Sequence, residues 1–392
     1  MYTLSGNIST VTSAQSLKNL SVILSIIYPW THKTKCGNID CGDNMKIELI
    51  GKPEIIMSNP NSKHNYFGWP TAMRLQDGRI AVGASGFRVD HVCPFGKAVI
   101  SYSTDNGRTY SPPAPVIDTP LDDRDAGICP FGESGVIFTS FNNSAEMQRD
   151  YNRDNAYVQS YIDTITAEDE EKYLGATFRV SHDCGITFGK IMRSPVTSPH
   201  GPIQLRDGTI LWAGNRFDNT EGGIEFVKLN PDNGDTEFVG KITIDEKGIF
   251  LNEPHLIELP DGKLLCHIRA ENDTMFTTYR SVSKDKGKTW TKPERLLEED
   301  GGAPPHLKLL SSGLLICAYG RRKQPYGIMV MISHDYGETW EKDLRLYENT
   351  QSDDLGYPTT VELNDGTLLT VFYARESEEH PCNILQQRWR IV

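Results

Sequence analysis

The chain has 392 residues, of which 38% are hydrophobic and 23% charged, a composition typical of a globular protein with a buried core. Its formal net charge of −12 disfavours a surface that binds nucleic acid or another polyanion. No apolar run approaches the roughly 18 residues that a membrane-spanning helix needs, so neither nucleic acid nor a membrane is an expected partner.

Residues 1–44 lack the repeats that organise the rest of the chain. An apolar stretch begins at Leu20 but is followed by no small-residue cleavage site, unlike a typical secretory signal. Between a secretory signal and a poorly ordered extension we expect the extension, which favours a cytoplasmic over a secreted protein. Cys36 and Cys41 could form a disulfide, but two ligands are too few for a metal site. The main domain is expected to span residues 45–392.

A hairpin motif, Leu-x-Asp-Gly-x-aliphatic, recurs along this domain. Asp-Gly between apolar runs is a strong signal for a tight turn between antiparallel strands. A variant with Ser-Gly occupies residues 310–315, and the regular copies begin at Leu75, Leu205, Leu259 and Leu363. From Leu205 onward the hairpins follow one another about every 50 residues, a period that indicates the four-stranded blades of a β-propeller.

The first two hairpins are separated by about two and a half such periods, which indicates a further blade between them. Its hairpin is predicted at Phe131-Gly132-Glu133-Ser134-Gly135. The acidic residues 145–172 are predicted to form a helical insertion in the same blade. The number of blades is then six.

A second repeat, Ser-x-Asp-x-Gly-x-Thr-aromatic, alternates with the hairpins. The aspartate can accept from backbone N–H groups and the glycine can adopt a positive φ, which predicts a structural turn between two strands. A decayed copy lies at residues 230–236, and the full copies lie at residues 103–110, 181–188, 283–290 and 333–340. The predicted fold is therefore all-β, a six-bladed β-propeller of four-stranded antiparallel blades with Asp-box turns.

Propeller topology brings two sets of residues to one opening of the central channel, because inner strands start there and second strands return there. The starts of the inner strands carry Trp69, Arg124 with Asp125, Pro199 with His200, Glu253 with His255, Pro304 with His306, and Tyr357. The ends of the second strands carry Arg88, Arg216, Arg269, Arg321 with Arg322, and Arg375.

Arginines recurring at one topological level indicate a site for a small anion. A planar guanidinium matches two oxygens of a carboxylate, sulfate or phosphate at once. A solvated strand end is the alternative for any one of these arginines. The three histidines leave a metal site or a histidine acid/base open, but no cofactor or metal is assigned. The scattered cysteines of the domain fit buried thiols better than disulfides.

From about residue 49 to residue 391, these motifs together resemble the sialidase (neuraminidase) superfamily, of the type of glycoside hydrolase family 33. Asn252-Glu253-Pro254-His255, followed by His267-Ile268-Arg269, resembles the segment with the catalytic glutamate and one arginine of a carboxylate-binding triad. Gly356-Tyr357-Pro358 resembles the segment with the nucleophilic tyrosine, and Arg88-Val89-Asp90-His91 the loop with the acid/base aspartate. Arg321 or Arg322 resembles a second triad arginine.

The sequence departs from the family where the first triad arginine should stand. The family has an Arg-Ile-Pro element there, whereas this chain has Gly68-Trp69-Pro70. The resemblance therefore implies that Arg124 or Arg88 takes over this role or that the anionic group is held differently. Asp125, Trp69, His200 and His255 complete the residues expected to bind substrate.

The resemblance implies a retaining exo-α-sialidase that acts on a sialylated glycan or free sialoside. Tyr357 would be the nucleophile, Glu253 its base and Asp90 the acid/base. A neutral tyrosine suits a sugar that bears a carboxylate on its anomeric carbon, because a carboxylate nucleophile would be repelled. The alternatives are an exo-acting enzyme on another acidic sugar, uronic or keto-acid, which Trp69 favours, and a non-catalytic carbohydrate-binding propeller.

Overall fold

Six antiparallel sheets follow one another along the chain, and each is one blade of a β-propeller. The computed structural model describes residues 45–217, 222–297, 301–348, 350–377 and 381–392. The predictions for residues 1–44, including a disulfide between Cys36 and Cys41, lie outside the described residues. The all-β class, the six blades and their antiparallel order are confirmed.

The strands are numbered along the chain and the blades from the first hairpin. The strand that precedes blade 1 is β1 (Ile47–Met57). Blade 1 contains β2 (Tyr66–Arg74), β3 (Ile80–Arg88), β4 (Lys97–Ser103) and β5 (Ala114–Ile117). Blade 2 contains β6 (Ile128–Phe131), β7 (Gly135–Phe141), β8 (Ala176–Ser181) and β9 (Met192–Ser194). Blade 3 contains β10 (Val196–Thr197), β11 (Ile203–Gln204), β12 (Ile210–Arg216), β13 (Ile224–Leu229) and β14 (Thr236–Ile242).

Blade 4 contains β15 (Phe250–Glu258), β16 (Leu264–Glu271), β17 (Phe276–Ser283) and β18 (Glu294–Arg295). Blade 5 contains β19 (Gly302–Leu309), β20 (Leu315–Arg321), β21 (Gly327–Ser333) and β22 (Glu341–Tyr347). Blade 6 contains β23 (Gly356–Glu362), β24 (Leu368–Ala374) and β25 (Asn383–Ile391). Its outer strand is β1, which pairs antiparallel with β25 from Ile47 opposite Ile391 to Met57 opposite Ile384. The two ends of the domain therefore close the ring together.

Blade 2 contains the feature that the hairpin spacing predicted. Phe131 pairs with Gly135 across the predicted turn. Between β7 and β8 the chain forms three short helices, α1 (Ala145–Tyr151), α2 (Ala156–Ile162) and α3 (Ala167–Tyr173). Ser144, Asn155 and Thr166 cap their N-termini by accepting from backbone N–H groups. Within the described ranges, no helix has both the length and the apolar composition to cross a bilayer.

The four Asp boxes have the same internal hydrogen bonds. In the first box Asp105 accepts from the backbone N–H and the hydroxyl of Thr109, at 2.9 Å and 2.6 Å. The Gly107 N–H donates to the Ser103 hydroxyl at 2.8 Å, and Gly107 has a φ of 79°. The other three boxes repeat these contacts. Each box joins the third and fourth strands of its blade. The prediction of a turn between two strands is therefore confirmed.

The core lies between neighbouring blades, where the strand faces pack on one another. Its largest fully buried side chains include Trp69, Trp212 and Trp389. Of the six cysteines that the structure describes, all are free thiols and all but Cys184 are buried. Buried thiols were predicted for this domain, and the described cysteines confirm them.

Candidate active site

Inner strands begin with a bulge at the mouth of the channel. In β15 the pairing with β16 is interrupted between Asn252 and His255, and β23 has an equivalent interruption. Glu253 and Tyr357 occupy these two bulges, with φ angles of 46° and 51°. Such left-handed backbone is strained for a side chain other than glycine, by about 1–3 kcal/mol, and persists only where the surroundings hold it. A bulge re-aims a side chain, so the strain positions these two residues.

Blades 1 and 2 use the same backbone conformation for two other side chains. Trp69 and Asp125 have φ angles of 54° and 51° at the equivalent positions. In blade 3 the position belongs to Gly201, with a φ of 77°. Five of the six blades therefore use the same backbone conformation at this position, and each of the five presents a different residue there.

Tyr357, Glu253 and Arg269 form one continuous hydrogen-bonded chain. The Tyr357 hydroxyl donates a short hydrogen bond to Oε1 of Glu253. Oε2 of Glu253 accepts from Nη1 of Arg269 at 2.7 Å. Arg269 also contacts Oε2 of Glu271, at 3.0 Å from Nε and 2.5 Å from Nη2. The residues predicted as nucleophile, base and one clamp arginine therefore lie together.

Burial and neighbouring charges shift the pKa values of Tyr357 and Arg269. Burial and the charge of Glu253 raise the pKa of Tyr357 well above its usual value. Burial alone would lower the pKa of Arg269, but the charges of Glu253, Tyr357 and Glu271 raise it. The resting site therefore holds a protonated phenol bonded to a base. This is the arrangement in which a weak nucleophile can lose its proton as it attacks.

Arg322, and not Arg321, faces Tyr357. Nε of Arg322 donates to the Leu355 carbonyl at 3.0 Å, and Nη2 to the Tyr373 hydroxyl at 3.1 Å. Its guanidinium lies 5.6 Å from the centroid of the Tyr357 ring. Among the described carboxylates, none forms an ion pair with Arg322. Its charge is therefore available to an anion from outside the protein.

Arg321 lies one residue earlier in the chain, and its Nε donates to the Lys323 carbonyl at 3.4 Å. Arg216, in blade 3, forms an ion pair with Glu225 at 3.7 Å. Of the arginines predicted at the mouth, Arg269 and Arg322 are therefore the two that adjoin Tyr357.

Trp69 occupies the position at which the family resemblance predicts an arginine. It is buried, and the Cζ atoms of Arg124 and Arg88 lie 4.0 Å and 4.9 Å from its ring centroid. Arg88 is 0% exposed and pairs with Asp122 at 2.6 Å, so it cannot reach a ligand in the mouth. Arg124 is 7% exposed and donates from Nη1 to the His91 carbonyl at 2.6 Å. Of the two proposed substitutes, Arg124 is the one that borders the mouth.

The two candidate aspartates occupy very different surroundings. Asp90 is exposed in the loop after β3, and its Oδ1 accepts from the His91 N–H at 2.6 Å. Asp125 is 5% exposed. Burial and the charge of Glu253 raise the pKa of Asp125 to about 7.

A cluster around Asp354 was missed in the sequence. Its carboxylate accepts from the hydroxyls of Tyr66, at 2.9 Å, and Tyr373, at 3.0 Å, and lies 3.2 Å from Nδ1 of His91. Burial alone would raise the pKa of Asp354, but these bonds and the charge of His91 lower it. The cluster connects the Asp90 loop to the strand of Tyr357. The only signal in the sequence was that Asp354 lies three residues before Tyr357.

His200, His255 and His306 lie together in the channel beneath the mouth. Their ring centroids are 4.4–5.6 Å apart, and His200 is 6.5 Å from Tyr357. Burial lowers the pKa of all three. Nδ1 of His255 accepts from the Leu307 N–H at 3.0 Å, so Nε2 carries the proton of the neutral ring and is not a metal ligand. In the described part of the chain, no group of three or more His, Cys, Asp or Glu residues is arranged to hold a metal.

Comparison with known proteins supports the propeller and its family. The family model described as "BNR repeat-like domain" matches residues 152–370. No curated protein matches the sequence. A protein of unknown function from Dyadobacter fermentans has a similar structure, with a TM-score of 0.71 at 18% identity, over 88% of this chain and 99% of its own.

Two trans-sialidases are also similar in structure. The intramolecular trans-sialidase of Ruminococcus gnavus has a TM-score of 0.60 at 13% identity, over 86% of this chain and 96% of its own. The leech intramolecular trans-sialidase has a TM-score of 0.58 at 13% identity, over 88% of this chain and 70% of its own. The similarity to the sialidase fold that the motifs predicted is confirmed.

Proposed function

The chain belongs to the BNR repeat-like domain family, and from this fold and the geometry of the mouth we propose that it is a retaining exo-α-sialidase. One observation carries the proposal: the hydroxyl of Tyr357 donates to Glu253, which Arg269 holds in place. A nucleophile bonded to a base that is itself oriented by a third group is the arrangement that covalent catalysis requires.

In the proposed reaction Tyr357 attacks the anomeric carbon while Glu253 takes its proton. The covalent sugar–tyrosine intermediate is then opened by a second nucleophile, which gives net retention. Arg322 binds the substrate carboxylate, because its charge has no carboxylate partner among the described residues. Arg269 orients Glu253 and borders the same anion. Arg124 supplies the third cationic group at the mouth.

The direct test is release of 4-methylumbelliferone from its α-sialoside. Products are separated into free sialic acid and its 2,7-anhydro form, because the fold is similar to those of two intramolecular trans-sialidases. Activity that is lost in Tyr357→Phe supports the proposal. A wild-type protein inactive on this sialoside and on 3'-sialyllactose would contradict it.

Another acidic sugar is the second candidate substrate. The observation in its favour is the replacement of the expected arginine by the buried Trp69. The corresponding 4-methylumbelliferyl β-glucuronide distinguishes the two candidates. Cleavage of the glucuronide without cleavage of the sialoside would assign the site to a uronic acid. A glycan-binding screen identifies a non-catalytic propeller if neither glycoside is cleaved.

A further inference from the structure

Asp125 carries a buried carboxyl group that lacks a structural role. It precedes β6 and occupies the same left-handed position in its blade as Glu253 and Tyr357 do in theirs. It is 5% exposed, yet no hydrogen bond or ion pair from a described residue reaches its carboxyl oxygens. Its carboxyl oxygens are not among the enclosed polar atoms that lack a partner, so they are open to solvent at the mouth. A carboxyl group that has no protein partner and opens onto the mouth is expected to meet a ligand.

The charges around Asp125 connect it to the catalytic pair. The charge of Glu253 raises its pKa, Arg124 and Arg88 act in the opposite direction, and Asp122 raises it further, all secondary to burial. Asp125 also acts on the pKa of Tyr357, which places the two groups within electrostatic reach. With a pKa of about 7, its carboxyl group is partly protonated at neutral pH.

Asp90 lies in different surroundings. It is exposed, and one carboxylate oxygen is occupied by the neighbouring His91 N–H. Its charge acts on the pKa of Tyr151, at the end of α1, and is absent from the groups that act most on the pKa of Tyr357. A proton donor for the leaving oxygen must lie within reach of that oxygen in the bound substrate. By this criterion Asp125 is better placed.

We propose that Asp125 is the catalytic acid that protonates the leaving oxygen, a role that the sequence resemblance gives to Asp90. This inference rests on the proposed function. As the bond between Tyr357 Oη and the anomeric carbon forms, the bond to the leaving oxygen breaks. The proton of Tyr357 passes to Glu253, and the proton of Asp125 passes to the leaving oxygen.

In the second step Asp125 acts as a base. Its carboxylate accepts a proton from water as the water oxygen bonds to the anomeric carbon. Tyr357 departs and recovers its proton from Glu253. All groups return to their starting protonation, and one water molecule is consumed in each turnover.

Substrates with different leaving groups test this role. The phenol of 4-methylumbelliferone leaves without protonation far more easily than a sugar hydroxyl. In Asp125→Asn, kcat/KM for 3'-sialyllactose should fall at least about 100-fold, the low end of the contribution of general acid catalysis. The loss on the 4-methylumbelliferyl sialoside should be less than about 10-fold, because kcat/KM reports the first bond-breaking step.

Two further variants serve as controls. Asp154→Asn removes an exposed carboxylate between α1 and α2 and should leave kcat/KM for both substrates unchanged. Asp90→Asn tests the competing assignment directly. Thermal unfolding of Asp125→Asn below pH 7 should match the wild type, because an amide then replaces a carboxyl group that is mostly protonated.

The pH profile gives a second readout. On 3'-sialyllactose the wild-type kcat/KM should decline as the pH rises through about 7, where Asp125 loses its proton, and Asp125→Asn should lack this decline. An equal loss on both substrates would show that Asp125 only binds the sugar. A selective loss in Asp90→Asn instead would return the role to Asp90. Either result overturns this inference alone if Tyr357→Phe is inactive, whereas a wild type inactive on both sialosides overturns the proposed function with it.

Discussion

The two ends of the propeller are built from the same repeat but have diverged in opposite ways. At the Asp-box turns the four copies form the same hydrogen bonds, such as Gly107 to Ser103 and Gly337 to Ser333, both 2.8 Å. At the mouth, the equivalent bulge positions carry Trp69, Asp125 and Tyr357 in three different blades. The Asp-box end is uniform because each of the four blades with an Asp box uses the same turn there. The mouth differs from blade to blade, as expected if it forms the proposed site.

Residues with a positive φ occur at both ends of the propeller but serve different purposes. In each Asp box two consecutive residues have a positive φ, for example Tyr336 and Gly337, because the tight turn requires this backbone. At the mouth the positive φ falls on Glu253, Tyr357 and Asp125, where strained backbone re-aims the side chain. Strain at the mouth is tolerated because these side chains must point into one opening. Variants at the mouth should therefore affect activity, whereas variants in the Asp boxes should affect stability.

The largest effect is expected at the mouth, from Tyr357→Phe. Loss of the nucleophile should lower kcat on the 4-methylumbelliferyl sialoside at least about 1,000-fold. The free energy of unfolding should change little, because the aromatic ring stays and Glu253 keeps its bond to Arg269. Steady-state kinetics and urea unfolding measure the two quantities. Activity close to that of the wild type would remove Tyr357 from the mechanism.

Arg322→Ala should have the next largest effect. Loss of a charge-assisted contact to the substrate carboxylate, worth about 1.5–3 kcal/mol, should raise KM roughly 10- to 150-fold. Arg322→Lys should recover part of the loss, because it restores the charge but not the planar fork. Arg321→Ala is the matched comparison, and its KM should change much less. A larger effect at Arg321 would reverse the assignment of these adjacent arginines.

The third prediction concerns stability in acid. His267 packs between blades 4 and 5, where its ring contacts Trp340, and burial lowers its pKa to about 3, below its unfolded value. Its contribution to the free energy of unfolding is complete above about pH 6.5 and declines as the pH falls toward 3. Between pH 7 and pH 5 this one group should lower the free energy of unfolding of the wild type by about 2 kcal/mol. Urea unfolding of His267→Phe should show a decline in this free energy that is smaller by that amount. The variant His334→Gln, at an exposed histidine, should show the wild-type decline. An identical decline in all three proteins would rule out a buried neutral His267.

The smallest effect is expected at the uniform end, from Asp335→Ala. This change removes the contacts to Thr339, at 2.8 Å and 2.6 Å, and to the Ser333 hydroxyl at 2.8 Å. The free energy of unfolding should fall by about 1–2 kcal/mol, as expected for hydrogen bonds of partly exposed groups. kcat and KM should be unaffected. A change in kcat at constant stability would contradict the structural role of the boxes.

Most of the fold could be predicted because the two repeats mark the positions of its turns. Asp-Gly hairpins and Asp boxes are local turns whose geometry depends on a few adjacent residues. The positions of Glu253 and Tyr357 followed from the same repeats, because each lies at a fixed distance before its hairpin. The closure of blade 6 by β1 was not predicted, because pairing with β25 joins the two ends of the domain without a local signal.

The sequence does not show which of the predicted arginines reach the site. Arg321 and Arg322 are adjacent, and neighbouring residues of an extended chain point to opposite sides, so only the register distinguishes them. Arg88 ends β3 at the predicted level, but Asp122, from a later loop, draws it into a buried ion pair. The cluster at Asp354 likewise depends on loops that bring His91 and Tyr66 together. Such long-range partners leave no periodic pattern in the chain.

Covalent trapping tests the central claim, that the mouth contains a tyrosine nucleophile, most directly. The protein is incubated with 2,3-difluorosialic acid, digested and analysed by mass spectrometry. The account predicts one sugar adduct, on the peptide with Tyr357, absent in Tyr357→Phe and slower to form in Arg322→Ala. An adduct on a different residue, or turnover of the sialoside with no adduct on Tyr357, would contradict it.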